Sequence, residues 1–212
     1  MGLKPKAGYD RKIRNSHDRH RKRTFFLSVE GNNKTEKIYF RAFARDHDSV
    51  IIRFSDGNAT DPVNMVNELV NYLQGRMDRD YGDAAYCLID ADCDERKDNQ
   101  IASADRIAKK NRINIIMSGP CFEIWLLCHF NKKAPQYLNN DAVTHEVQRY
   151  ILQYTKSYSD TFEETKDNID TAIQNAKELE KHCLSAGLTP HKVSFAPSTE
   201  IYKLIEDLLR YE

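Results

Sequence analysis

The chain has 212 residues, 40% hydrophobic and 30% charged, with 32 Lys+Arg against 32 Asp+Glu. That length suits one domain with a sizeable core, and no apolar run approaches the roughly 18–20 residues that cross a bilayer, which excludes a membrane-spanning helix as a reading. The first thirty residues are basic without an apolar stretch, predicting no secretory signal. The five cysteines (Cys87, Cys93, Cys121, Cys128 and Cys183) form no C-x-x-C pair, predicting reduced thiols in a cytoplasmic protein, with neither a disulfide framework nor a zinc site.

The balanced charge hides an asymmetry. Residues 1–23 carry nine basic and two acidic side chains, leaving an acidic body. A basic arm of this kind either grips nucleic acid through its phosphates or is a solvated tail. Order is expected to begin with Thr24-Phe-Phe-Leu-Ser-Val29, a run of β-formers ending at Glu30-Gly31, followed by a helical pattern from Thr35 through Phe43. Val50–Phe54 reads as a second strand, with turn chemistry after it. Asp61-Pro62 then opens a helix, Asp61 as cap and Pro62 in the first turn. Ala84–Ile89 is a third strand running into Asp90-Ala-Asp92-Cys-Asp94. A helix over 101–110 leads to a fourth strand over 113–117, which stops at Ser118-Gly119-Pro120. Beyond it, 122–130, 139–154, 166–186 and 198–211 read as helices.

Strands alternating with helices predict parallel βαβ units, hence an open sheet of about four strands with helices on both faces and a mostly helical C-terminal extension. The expected division is a basic arm over 1–23, an α/β core over 24–130 and a helical extension over 131–212 packed on the core. In such a sheet, ligands bind beyond the carboxyl ends of the strands. Glu30 stands at the end of the first strand and Asp90, Asp92 and Asp94 follow the third, so two strand ends deliver carboxylates to one rim. Like charges raise each other's pKa, and a hard divalent cation such as Mg²⁺ or Mn²⁺ relieves that crowding while bridging phosphates. In an extended segment the i, i+2 aspartates would point the same way. Taken singly, a glutamate-glycine or an Asp-x-Asp at a strand end is an ordinary turn.

The joint pattern resembles the Toprim fold. More narrowly, Val29-Glu30-Gly31-Asn-Asn-Lys34-Thr35-Glu36-Lys-Ile-Tyr39-Phe40, then Cys87-Leu-Ile-Asp90-Ala-Asp92, then Ser118-Gly-Pro120-Cys-Phe122-Glu123-Ile-Trp125-Leu-Leu-Cys-His129-Phe130, resemble the RloB-like family. That family is encoded with restriction-modification and abortive-infection loci in prokaryotes. Lys156 and Pro197-Ser198-Thr199 also match. Two departures stand out: one extra residue between Gly31 and Thr35, which bears on how Glu36 sits relative to Glu30, and Gly119 where asparagine is usual.

The resemblance implies a Mg²⁺- or Mn²⁺-dependent nuclease acting on DNA, RNA or tRNA in anti-phage defence. Glu30 would be acid/base or ligand, Asp90 and Asp92 metal ligands, Glu123 and Glu36 second-metal candidates, Asp94 a further candidate metal ligand, and Lys156 a stabiliser of the cleaved phosphate. Glu123 in a first helical turn also complements the helix dipole. His129 and Trp125 in so apolar a helix fit a core role as well as catalysis or stacking, and Lys156 fits a solvated surface lysine. A second implication is a non-catalytic Toprim-like module serving a partner ATPase from the same locus. Apart from that resemblance, four apolar residues followed by Asp-x-Asp also begin the haloacid-dehalogenase phosphatase motif, with Asp90 as nucleophile and Asp92 as acid; against it stand the motif's mid-chain position, Cys93 where Thr or Val is common, and the lack of a closing acidic pair downstream. A homo-oligomer remains open.

If the arm contacts phosphates, nucleic-acid affinity should fall steeply with salt, and removing the arm should flatten that dependence; an unchanged slope in binding titrations assigns the arm to the solvated tail.

Overall fold

The computed structural model describes residues 21–31, 35–131 and 135–210. Most of the basic arm therefore lies outside the described residues, as does the extra residue before Thr35. Five strands form one sheet in the order β2-β1-β3-β4-β5. Strands β1 (Arg23–Ser28), β2 (Val50–Phe54), β3 (Ala84–Asp90) and β4 (Asn114–Gly119) are parallel, and β5 (Ser198–Thr199) pairs antiparallel with the end of β4.

Side chains alternate between the two faces, and the helices divide accordingly. Phe25 and Leu27 of β1 and Tyr86 and Leu88 of β3 join one core with α1 (Thr35–Asp46), α4 (Glu123–Cys128), α5 (Asn140–Val147), α6 (Ile169–Ser185) and α7 (Ile201–Leu209). Phe26, Cys87 and Ile89 join the other with α2 (Pro62–Leu73) and α3 (Lys97–Lys110). Strands buried on both faces are what the near-continuous apolar runs require. Helix α2 starts as its sequence dictates: the Asp61 carboxylate accepts from the Asn64 N–H at 3.0 Å and Pro62 occupies the first turn.

Three departures matter for the site. Helix α3 begins at Lys97, four residues before the apolar pattern at Ile101, because its first turn is polar. The helix expected over 139–154 stops at Val147, and turns carry the chain through Tyr154 and Lys156. The segment expected as helix from 198 opens instead as β5, with α7 starting at Ile201. Gly119 fits this join: a Cβ there would stand 3.0 Å from the Phe195 carbonyl oxygen and 3.1 Å from the Ala196 Cβ.

The end of the basic segment is structural. Arg23 belongs to β1 and pairs with Asp207 at 3.3 Å, while Arg21 pairs with Asp78 at 2.9 Å and with the buried Asp83. A truncation that tests the arm must therefore stop before Arg21.

A charged clasp ties α3 to the β5–α7 junction. The His191 imidazole lies between Asp105, 2.8 Å from Nδ1, and Glu200, 3.0 Å from Nε2. Glu200 also accepts from the Met117 N–H at 3.0 Å. The hydrogen bonds to Asp105 and then Glu200 raise the His191 pKa from 6.5 to about 10. A histidine held protonated in the fold stabilises fully below its unfolded value, and that stabilisation is lost as pH rises through the folded one. Urea denaturation should show stability declining between about pH 6.5 and 10, and His191→Asn should flatten that decline.

Candidate active site

The parallel register places the carboxylates. Ser28 pairs with Cys87 and Asp90 with Ser118, so Glu30, two residues past Ser28, comes nearly level with Asp90 at one rim. Between Glu30 and α1 the chain turns at Gly31, whose φ of +44° favours glycine and whose N–H donates to the Ala59 carbonyl at 2.8 Å. Helix α1 then brings Glu36 inward, only 2% exposed. Pro120 and Cys121 lead from β4 into α4, whose first residue, Glu123, is also 2% exposed. Asp90 is 8% exposed.

These side chains form one electrostatic unit. Burial, followed by repulsion from Glu36, Glu123, Glu30 and Asp92, raises the Asp90 pKa well above the ordinary aspartate range. Burial first, with Glu123 and Glu30 adding, pushes Glu36 up to about 8. Glu30 sits at the mouth, raised mainly by burial and by Asp92, with Lys97 and Lys156 acting in the opposite sense. Five carboxylates from two strand ends and two helix starts thus form one cluster.

Asp92 reaches the cluster in a way its spacing had not indicated. The strand ends at Asp90, and Asp92 lies in a turn with φ of +52°, a region aspartate tolerates better than most residues. The extended i, i+2 geometry expected for the pair is therefore replaced by a turn pinned at two points: the Ala91 N–H donates to the Ser118 carbonyl and the Asp92 N–H to the Pro120 carbonyl, both at 2.8 Å. Asp94 does not join the group. It lies at the surface, where Arg96 holds it through Nε at 2.8 Å and Nη2 at 2.8 Å, and this contact lowers its pKa.

Two cations face the carboxylates. Lys156 projects from an exposed turn; desolvation pulls its pKa down, but the charges of Glu123, Asp90 and Glu36 outweigh this and raise it. Its carbonyl accepts from the Thr35 hydroxyl at 3.0 Å, fixing the turn to α1. Lys97, which carried no motif signal, is the larger surprise. Its ammonium hydrogen-bonds Asp92, lies 3.3 Å from the Asp90 carbonyl oxygen and 4.0 Å from Glu30. Position alone could have found it, as the first-turn lysine that follows the acidic loop.

Neutral donors complete the cleft. The buried Tyr154 hydroxyl donates to Glu123 Oε1 at 2.8 Å and lies 3.4 Å from the Thr35 hydroxyl. Asn140 donates to Asp92 Oδ1 at 2.7 Å. His129 and Trp125 belong to the core: the His129 Nδ1 pairs with the Trp125 carbonyl at 3.0 Å, its Nε2 lies 3.4 Å from the Tyr39 hydroxyl, and burial pulls its pKa down to about 4.

Among the described residues no three His, Cys, Asp or Glu side chains already form a metal-ligand set. The donor chemistry nevertheless fits a hard cation, because it consists of carboxylate oxygens whose mutual repulsion a divalent ion relieves. In the present arrangement Lys97 and Asn140 hold Asp92, and Tyr154 holds Glu123.

A family model described as RloB-like protein matches residues 25–208 of the chain. No curated protein and no solved structure matches it.

Replacing Tyr154 with Phe leaves a buried carboxylate without its hydroxyl donor and should cost about 1–3 kcal/mol of stability by urea denaturation. A change near zero would mean that Glu123 is satisfied by another donor.

Proposed function

The chain belongs to the RloB-like family, and from that premise and the acidic cleft we propose that it is a metal-dependent nuclease of Toprim type that cleaves phosphodiester bonds of DNA, RNA or tRNA in prokaryotic anti-phage defence. One observation carries the reading. Glu30, Glu36 and Asp90 come from separated segments yet share one cluster in which burial and the charges of their neighbours, Glu123 and Asp92 among them, raise their pKa, a standing electrostatic penalty that packing alone does not call for.

In this reading Glu30, Asp90 and Asp92 hold Mg²⁺ or Mn²⁺, with Glu36 and Glu123 positioned for a second ion. The chemistry supplied by such bound cations is neutralisation of phosphate charge and activation of water. The chain's own groups do the rest. Glu30, at the mouth of the cleft with a raised pKa, exchanges a proton with the attacking water or the leaving oxygen. Lys156 faces the cleft from the exposed turn and offers its ammonium to charge developing on the phosphate. Lys97 holds the acidic rim together in the absence of another cation. Tyr154 holds one oxygen of the Glu123 carboxylate.

A second reading, a non-catalytic nucleic-acid or nucleotide-binding module acting with a partner ATPase, draws on one observation: Lys97 is locked onto Asp92. The phosphatase alternative keeps the motif's mid-chain position and Cys93 against it, and its nucleophile, Asp90, is only 8% exposed.

Millimolar Mg²⁺ or Mn²⁺ should raise the melting temperature, because a ligand of the native state stabilises it by mass action. Asp90→Asn should abolish that response, make the metal-free protein more stable than metal-free wild type by removing repulsion, and abolish cleavage in a screen over DNA, total RNA and tRNA. No thermal response to either metal, with Asp90→Asn neutral or mildly destabilising, contradicts the nuclease reading. Metal binding without cleavage of any substrate favours the binding module.

A further inference from the structure

A second feature lies away from the acidic cleft. A groove of about 910 Å³ runs between the C-terminal end of α3 and helix α7, floored by the first half of β4. Its volume falls within the range of small-molecule sites.

Strand β4 is open along this stretch. Pairing with β5 is confined to Ser118–Thr199 and Gly119–Ser198. Glu200 takes the next position: its N–H donates to the Met117 carbonyl at 2.8 Å and its carboxylate accepts from the Met117 N–H. By the alternation of a strand, the N–H and C=O of Ile115 point the same way as those of Met117, into the groove, where no strand among the described residues meets them. The Ile113 N–H is already taken by the Ala108 carbonyl at 2.9 Å. The floor thus offers one adjacent donor–acceptor pair.

The charges around it are uneven. The lining carboxylates are all engaged within the protein: Asp105 and Glu200 on His191, Glu200 also on Lys203 at 2.6 Å, and Asp207 on Arg23 and the Tyr86 hydroxyl. Lys109 and Arg112, both exposed at one wall, have no carboxylate within ion-pair distance among the described residues. Arg210 stands on the opposite wall, 3.8 Å from Asp207. The free charge of the groove is therefore positive, set above a single residue, Ile115, whose N–H and C=O can donate and accept one hydrogen bond each.

We propose that this groove is a phosphate-recognising site that takes one nucleotide unit, either as a free nucleotide or as one residue of a nucleic-acid strand. Lys109 and Arg112 receive the phosphate, Arg112 by paired N–H donors. The backbone N–H and C=O of Ile115 read the donor–acceptor edge of the base. A peptide adding to the strand edge is disfavoured by the same facts, because strand addition needs a row of outward N–H and C=O groups and only one pair is open. This site does not depend on the metal reading of the cleft.

The test uses the full chain in EDTA, so that the acidic cleft contributes no metal-dependent binding. Adenosine triphosphate and a short single-stranded oligonucleotide are titrated separately, with melting temperature and fluorescence anisotropy as readouts. At least one should bind and raise the melting temperature, and Lys109→Ala/Arg112→Ala should weaken it about tenfold or more, the scale of one lost charge-assisted contact. Because both positions are exposed, the unliganded variant should melt with wild type; Lys109→Glu provides a second, independent loss of affinity. Binding of the triphosphate assigns a free nucleotide, and binding of the oligonucleotide alone assigns a strand. The proposal is overturned if neither probe binds, if both variants bind as tightly as wild type, or if an acidic peptide displaces the probe. None of these outcomes touches the metal response of the cleft.

Discussion

Repulsion among buried carboxylates is the constraint around which this molecule is arranged. Asp90 sits in the field of four other acidic side chains and is almost fully buried, so each added negative charge costs far more than it would at a surface. Folding cannot remove these charges by moving them outward, because Glu30 and Asp90 end adjacent strands and Glu36 and Glu123 begin the helices that pack on them. What the fold does instead is surround them with positive charge and donors. Lys97 enters from α3, Lys156 from the turn after α5, and Tyr154 and Asn140 from the C-terminal half.

That arrangement explains why the chain is longer than its parallel sheet requires. The strands supply the acidic rim, while the C-terminal helices and turns supply what tempers it. Thr35 joins the two: its hydroxyl meets both the Lys156 carbonyl and the Tyr154 hydroxyl, so the start of α1 and the late turn are set relative to each other. On the far side of the sheet edge, β5 and Glu200 close the last residues of β4 and the His191 clasp anchors them to α3. The same closure leaves the first half of β4 open as the floor of the second groove.

The α/β order, the parallel strands and the rim carrying Glu30 and Asp90 were legible in the sequence, because apolar strand runs and the carboxyl-end rule depend only on local pattern. Lys97 carried no periodic signal, because the first turn of α3 is polar and the apolar pattern starts at Ile101, so only its position after the acidic loop pointed to it. Tyr154 was not legible, because its role is set by a contact with Glu123, thirty-one residues away, that no spacing encodes. Asp94 was misplaced by treating the acidic run as one unit, when Arg96 draws it to the surface. Asp92 belonged to the cluster for a different reason from the one its spacing suggested, since a left-handed turn rather than a continued strand delivers it. Ser198-Thr199 was absorbed into an amphipathic helix because two residues cannot announce a strand.

The central claim is that the cleft's negative charge is there to hold a divalent cation, and anomalous diffraction from crystals soaked in Mn²⁺ tests it most directly. The account predicts an anomalous peak between Glu30, Asp90 and Asp92, with the Lys97 ammonium displaced from Asp92, and no peak in Asp90→Asn crystals. A wild-type map with no peak in the cleft and Lys97 still bonded to Asp92 would contradict it.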